Sequence, residues 1–540
     1  MIIVATIAII IVIVIVITSH SSIQKDRDLK QKLKKNFGKP PLTDEVDYKS
    51  IEAYTIRTNK DARQVDKITW NDLDMNRVYE RINVCLSSVG DEYLYDALKR
   101  PENCAAKLQK REELTDFFDK NTDIRLEVQY ALAKISKKEN NGVADLFFRS
   151  DFNSLQHKKT YAFFALLPVL AAIVLFFHVS IGFTALFFSF LVNMFIHFRC
   201  QKYINRDLSA INYFSRIIRC CEKFAKMKHF NELPCITRLT KLSQVFKKAA
   251  SNSPSHMYGV VSGIEDVIWL YLSILFLIDV RGYNSFMELL KEKQDYAHEI
   301  YVTIGEIETA ISVLSTRKSF PSFCIPEFCE ENIVKFQDVY HPLINDAVVN
   351  SHVFNNDMIL TGSNASGKST FIKTLAINQI LAQTINTCTA ASFTTRFSVI
   401  TTSMAVKDNI YEGESYFTAE LKSIKRILDI TKTHYTVCYI DEILRGTNTT
   451  ERLIASQVLL SHLHKRECLC IVATHDIELT QILENEYDNY HFSEQVTDKD
   501  ISFDYKLKPG PSKTKNAIKL LEVMEFDKEI IDDALAMVRD

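Results

Sequence analysis

Residues Thr361-Gly362-Ser363-Asn364-Ala365-Ser366-Gly367-Lys368-Ser369-Thr370 fit the pattern G-x-x-x-x-G-K-[ST]. A glycine-rich turn that opens a helix is an anion site, because its backbone N–H groups converge and the helix dipole adds positive potential. In such a turn Gly362, Ser363, Asn364, Ala365, Ser366, Gly367 and Thr370 form the cradle. Lys368 pairs with β- and γ-phosphates, and the Ser369 hydroxyl ligates Mg²⁺. The spacing therefore predicts a site for a nucleoside triphosphate, read here as ATP with Mg²⁺. Two further stretches extend the chemistry. Thr436-Val437-Cys438-Tyr439-Ile440-Asp441-Glu442 is an apolar run ending in two carboxylates. Asp441 is placed to hold the Mg²⁺ shell and Glu442 to polarise an attacking water. Cys468-Leu469-Cys470-Ile471-Val472-Ala473-Thr474-His475 ends in a histidine that can sense a γ-phosphate or orient water. Lys368, Glu442 and His475 are thus the expected catalytic residues.

These side chains need strands and helices to bring them together. Met358-Ile359-Leu360 reads as a short buried strand before the phosphate loop, and Phe371, Leu375, Ala376 and Ile377 recur at helical spacing after it. From about Ile333 onward, short apolar runs alternate with helical stretches, which predicts an α/β domain around a largely parallel sheet. Residues 67–160 and 200–320 read as helical instead, and Pro321 and Pro326 mark a boundary. The expected division is a membrane anchor over 1–19, a polar linker over 20–66, a helical domain over 67–330 and an α/β ATPase domain over 331–540.

Lys+Arg 65 against Asp+Glu 67 gives a net charge of -2, so no global positive field advertises nucleic acid. The 12 cysteines show no paired C-x-x-C framework, so they read as reduced thiols. Ile2–Ile17 is apolar apart from Thr6, a little short of the ~20 residues that a membrane span needs. Tyr161–Phe198 is long enough for two linked spans, the alternative being a buried helix pair. Basic residues follow the first segment and flank the hairpin on both sides. By the positive-inside tendency that predicts three spans in a membrane protein with its ATPase domain in the cytoplasm. A third apolar run, Val267–Ile278, reads as a buried or membrane-surface helix.

The motif series resembles that of the MutS family. The loop is similar to T-G-P-N-M-G-G-K-S-T. Asp441-Glu442-Ile443-Leu444-Arg445-Gly446-Thr447-Asn448-Thr449 resembles D-E-I-G-R-G-T-S-T, and Ala473–Thr480 resembles A-T-H-x-x-E-L-T. Ser415-Tyr416-Phe417-Thr418-Ala419-Glu420 is similar to the family's S-T-F-x-x-E segment. Tyr505–Gly510 and Asn516–Val538 resemble its late strand and closing helices. Val78–Asn83, Ser87–Leu94 and Ile304–Leu314 look like parts of its helical core, or lever, domain.

The resemblance implies a P-loop domain of ABC type preceded by an all-α lever domain. It places His341, in Tyr340-His341-Pro342, near the nucleotide base. It also implies a homodimer formed through the ATPase domain, with Ser415 completing the partner's site in trans. DNA, mismatched DNA in particular, is a partner by resemblance only.

The chain departs from the family in three respects. The helical region starts near residue 67, leaving no room for the mismatch-reading domains. The apolar hairpin stands where a DNA clamp is expected. Ser366 replaces a family glycine, which would strain a position of positive φ. Phe230-Asn231-Glu232 spells the mismatch-reading tripeptide inside a helical region and is taken as coincidence. The expected function is a membrane-anchored ATPase that couples ATP hydrolysis to lever movement, with membrane lipid as a further partner. The alternatives are a membrane-tethered DNA-binding factor and an ATP-binding scaffold with negligible hydrolysis.

Overall fold

The computed structural model describes residues 20–539, apart from 22, 42–45, 59–62, 139–140, 150–157, 252–263, 364–365, 405–415, 446, 497–500 and 513–525. The anchor segment 1–19, Asn364, Ala365 and Ser415 lie outside the described residues, as does the start of Asn516–Val538. The first helices are α1 (23–36), α2 (Tyr48–Arg57), α3 (Lys67–Asp72), α4 (Met75–Ile82), α5 (Ser88–Lys99), α6 (Ala105–Lys120), α7 (Thr122–Ala133) and α8 (Val143–Phe148). There follow α9 (Lys158–Phe177), α10 (Val179–Phe224), α11 (Pro234–Ser251), α12 (Ile264–Phe276), α13 (Ile278–Glu292) and α14 (Gln294–Ser319). Strands then enter: β1 (Glu327–Phe328), β2 (Val334–Val339), β3 (Asn350–Phe354) and β4 (Met358–Thr361), then α15 (Lys368–Ile385). Next come β5 (Ser392–Thr395), β6 (Val399–Ser403), α16 (Tyr416–Ile430), β7 (Thr436–Asp441), α17 (Thr449–His464) and β8 (Cys468–Ala473). The described chain closes with α18 (Ile477–Ile482), β9 (Asp488–His491), β10 (Glu494–Val496), β11 (Ile501–Phe503), β12 (Lys508–Pro509) and α19 (Lys528–Arg539).

Two compact units result. One comprises Met1–Asn59, Asn83–Asp96 and Leu114–Ser315, the other Lys60–Ile82, Ala97–Glu113 and Thr316–Asp540. The first is helical. Its core is an aromatic cluster that includes Phe118, Phe214, Phe224, Phe230, Phe246 and Phe286, all fully buried. Edge-to-face pairs lock it, Phe214 on Phe246 at 5.5 Å and Phe224 on Phe230 at 5.3 Å. This geometry adds about 0.5–1.5 kcal/mol per pair to simple burial. Phe230 is spent in this core, so Phe230-Asn231-Glu232 presents no aromatic wedge.

Helices α9 and the first half of α10 differ from the rest of the unit. They are mostly apolar, and the windows Lys159–Phe177 and Val179–Gln201 are only 17% buried each. Phe176, Phe177, Phe183 and Phe195 project outward. The two helices cross tightly at Gly182, where a Cβ would come within 2.4 Å of the Leu175 backbone.

The second unit is α/β. Its main sheet has the order β12-β9-β4-β8-β7-β6, parallel throughout except at the β12 edge. A smaller sheet, β1-β5-β2-β3, lies in the same unit. Helix α15 is buried along almost its whole length, so its polar side chains must be paired internally. Tyr439 on β7 donates to Gln379 at 2.7 Å, and Gln379 donates to Thr395 on β5 at 2.9 Å. One glutamine thus ties the main sheet to the smaller one.

Residues 63–82 and 97–113 pack with this sheet rather than with the other helices. Asp66 caps α3 by accepting from Thr69 N at 2.9 Å. Asp72 accepts from Thr402 Oγ1 at 2.7 Å and from Met404 N at 3.1 Å, fastening α3 to the end of β6. Arg317 is almost fully buried and grips Glu112 through two parallel bonds of 2.6 and 2.7 Å. It also donates to Thr387 and to the Asn386 carbonyl.

Candidate functional site

The strand register decides where the chemistry sits. Leu360 on β4 and Asp441 on β7 both lie opposite Ala473 on β8. Three neighbouring parallel strands therefore end at one level, the place where open α/β sheets bind ligands. Backbone bonds hold the exits: Glu442 N donates to Ala473 O at 2.9 Å and Thr474 N to Leu360 O at 3.0 Å. Beyond these ends the chain delivers the phosphate loop, the Asp441-Glu442 pair and His475 to one rim.

The loop has the backbone shape that a phosphate cradle needs. Gly362 has φ +145° and Gly367 φ +104°. A Cβ at Gly362 would approach the Phe492 carbonyl to 2.7 Å, and one at Gly367 would strike the Tyr505 ring at 2.9 Å. Ser366, expected to be strained, is not among the residues of positive φ; of the loop's described residues only the two flanking glycines are. Its side chain is buried, and its hydroxyl has no hydrogen-bond partner. Ser363 donates to Glu494. Ser369 and Thr370 are exposed at the start of α15.

Lys368 donates to the carbonyls of Gly362 at 2.7 Å and Ser363 at 2.8 Å. Burial pushes its ammonium down to about 8. His475 Nε2 lies 3.0 Å from Glu442 Oε1 and 3.4 Å from Lys368 Nζ. Burial, then the neighbouring Lys368 and Arg445 charges, lower the His475 pKa and favour the neutral imidazole. Arg445 closes an ion pair on the same Glu442 oxygen. Glu442 itself has φ 59° and Leu444 φ 56°, so the turn after β7 carries strain that favours glycine elsewhere. The Asp441 side chain is buried, and its Oδ1 has no hydrogen-bond partner. An unpaired buried carboxylate oxygen beside a phosphate loop fits the donor set of a hard divalent cation such as Mg²⁺.

A cleft of about 510 Å³ joins these groups. Its lining includes Lys368, Ser369, Thr370, Glu442 and Arg445 on one side, with His341, Asp346, Phe492 and Tyr505 on the other. His341 is held neutral, its pKa pushed down to about 4 chiefly by burial. Of the expected site residues, His341, Ser363, Gly367, Lys368, Ser369, Thr370 and Glu442 line one cleft. His475 joins them through Glu442. Sequence reasoning gave no role to Arg445, Glu494 or Tyr505. Arg445 and Tyr505 stood within quoted motifs, whereas nothing in the spacing marked Glu494.

This sheet, with a phosphate loop, an acidic pair and a histidine on consecutive strand ends, defines an α/β domain of the P-loop ATPase type. Residues 358–540 match the family model for MutS domain V. Over these residues the chain is similar to MutS domain V. MutS protein homolog 4 of Mus musculus is 30% identical over 276 residues, covering 47% of this chain and 28% of that protein. DNA mismatch repair protein MutS of Streptococcus uberis is 25% identical over 268 residues, covering 47% and 31%. The same-named protein of Thermus thermophilus is 28% identical over 182 residues, covering 34% and 22%. The chain thus spans under a third of the length of these curated relatives.

Proposed function

We propose that this protein is a membrane-anchored ATPase of MutS type, which binds and hydrolyses ATP at a site shared between two copies and couples that cycle to its helical region. The observation that carries the enzymatic part is the convergence of Lys368, Asp441, Glu442 and His475 at one level of the sheet. The loop amides and Lys368 would hold the phosphates. His341 and Tyr505 would flank the base. Ser369 and Asp441 would hold Mg²⁺, which supplies charge neutralisation at the phosphates when bound. Glu442 would take the proton of the attacking water, and His475 would orient Glu442. Its clasp by Arg445 keeps the carboxylate in place, and release of that clasp would set the base free.

Anchoring is supported by the two apolar helices that expose aromatic side chains, and by the lysines and arginines that flank them. The homodimer, with Ser415 acting in trans, is supported by the family resemblance.

The test is direct. Glu442→Gln should retain ATP, form a stable dimer in sedimentation and lose steady-state phosphate release. Undiminished turnover would remove Glu442 from the mechanism. Alkaline carbonate extraction checks the anchor: release into the supernatant would refute it.

A second reading, DNA binding by a tethered factor, is favoured by the names of the relatives. Two of its basic residues are already engaged. Lys506 donates to the Val349 carbonyl at 2.6 Å, and Lys508 is held by Asp504 and Ser493. Binding to matched and mismatched duplexes across a salt series tests it, since phosphate contacts weaken steeply as salt rises.

A further inference from the structure

Cys324 and Cys388 face each other across an isolated antiparallel bridge, between the segment after α14 and the segment after α15. Each backbone N–H donates to the other's carbonyl at 2.9 Å. A pair bonded in this way has its Cα atoms about 5.5 Å apart and both side chains on one face. That separation falls inside the range of about 4.4–6.8 Å that a disulfide spans. Both cysteines are free thiols, hydrogen-bonded to each other. Cys324 is half-buried, whereas Cys388 is fully buried. The hydrogen bond from Cys388 holds the Cys324 thiol below its ordinary pKa; burial opposes this and the Arg317 charge assists it. Burial pushes the Cys388 thiol up. The thiolate is the form that attacks an oxidant, so Cys324 is the nucleophile and Cys388 the resolving group. Cys329, a few residues on, is turned elsewhere: its amide donates to the Thr395 carbonyl at 3.1 Å and its thiol to the Glu331 carbonyl at 3.6 Å.

The bridge also bears on the nucleotide cleft. Tyr340 precedes His341, and both line that cleft. Tyr340 is held from each of the two segments that carry the cysteines. Its hydroxyl donates to the Ser322 carbonyl at 2.6 Å. Its amide donates to the Thr389 carbonyl at 3.0 Å, and its own carbonyl accepts from Thr389 Oγ1 at 2.6 Å. A covalent link between Cys324 and Cys388 closes a ring behind Tyr340 and removes the local opening that would otherwise part Thr389 from it.

We propose that Cys324 and Cys388 form a peroxide-sensitive modification site, at which a disulfide fastens the wall behind His341. The Cys324 sulfur attacks one oxygen of hydrogen peroxide, the O–O bond breaks, and a sulfenic acid and hydroxide result, which leaves as water. The Cys388 sulfur then attacks the Cys324 sulfur, and the S–S bond forms as the sulfenic hydroxyl departs with the Cys388 proton as a second water. Two electrons pass from the thiols to the peroxide, and a thiol reductant returns them. The experiment treats the purified full-length chain in detergent with graded hydrogen peroxide, alkylates the remaining thiols and maps the peptides by mass spectrometry. The Cys324–Cys388 linked peptide should be the first disulfide to form, and dithiothreitol should remove it. Amide exchange at Tyr340 and Thr389 should slow about tenfold in the oxidised protein, since the link suppresses local opening. Cys324→Ser should abolish both effects. Cys388→Ala should leave Cys324 as a sulfenic acid that dimedone traps, which tests the order of attack even where the serine variant fails to fold. A disulfide from Cys324 to Cys329, or oxidation confined to the exposed Cys104 and Cys235, would overturn the proposal. So would exchange unchanged in the linked protein. Neither readout involves nucleotide turnover, so the proposal stands or falls apart from the ATPase reading.

Discussion

Two pairs of carboxylates, one pair in each unit, are held in opposite ways. In the helical unit, Glu92 is fully enclosed and accepts from Asn141 Nδ2 and Tyr301 OH, each at 2.5 Å. Glu308 accepts from Ser87 Oγ at 2.8 Å and Leu86 N at 3.3 Å. Burial raises their pKa values to about 7 and about 8 respectively. In both, burial shifts the balance toward the neutral acid. In the α/β unit, Asp441 leaves an oxygen without a partner, and Glu442 sits on a left-handed turn between an arginine and a histidine. The first arrangement is satisfied. The second keeps charge and bonding capacity in reserve, which a polyphosphate and its metal can use. Burial alone therefore does not separate the two pairs; the unmet bond does.

The sharpest way to break this contrast is to change the reactive side. Lys368→Ala should abolish measurable nucleotide binding in calorimetry, because the loop loses the cation held on its Gly362 and Ser363 carbonyls. Glu442→Gln should lower kcat by about 10²- to 10⁴-fold, the usual worth of a general base, with little change in ATP affinity. Equal losses of binding in the two variants would erase the distinction between holding and hydrolysing.

Next in size is a structural pair. Glu112→Ala strands Arg317 as an unpaired buried charge and should cost about 3–5 kcal/mol in denaturant unfolding. A loss below about 1 kcal/mol would show that Arg317 finds other partners.

The helical carboxyls predict a pH effect of defined sign. Glu92 and Glu308 have folded pKa values above their ordinary 4.5. Their contribution is full below that ordinary value and is lost as pH rises through about 7 and about 8. Stability of the helical unit should therefore fall between about pH 5 and 8, and Glu308→Gln should flatten that fall. An unchanged slope in the glutamine variant would place the titration elsewhere.

The smallest effect concerns Asn448, whose Oδ1 accepts from Glu451 N at 3.0 Å and caps α17 just after the acidic pair. Asn448→Ala should cost about 1 kcal/mol of stability and leave ATP affinity unaltered.

Much of the α/β site was legible because its motifs depend on local order. A glycine-rich turn must follow a strand and open a helix, so Gly362, Gly367, Lys368 and Ser369 announce themselves. The carboxylates and His475 stand at strand ends for the same reason. The common level of the three strands was not legible, because register depends on pairing among residues far apart in the chain. Nor was the fastening of residues 63–82 and 97–113 to the sheet. Asp72 and Glu112 are ordinary acidic residues until Thr402 and Arg317 reach them. The relaxed backbone of Ser366 went unseen because φ follows from the path of the whole loop.

By itself, then, the sequence determined the phosphate-loop motif, the two apolar helices and the change of texture near residue 333, all of which follow from spacing and periodicity. Only the tertiary structure decided which charges are paired and which carboxylates are left open. Those outcomes follow from burial, and burial is a property of distant segments brought together.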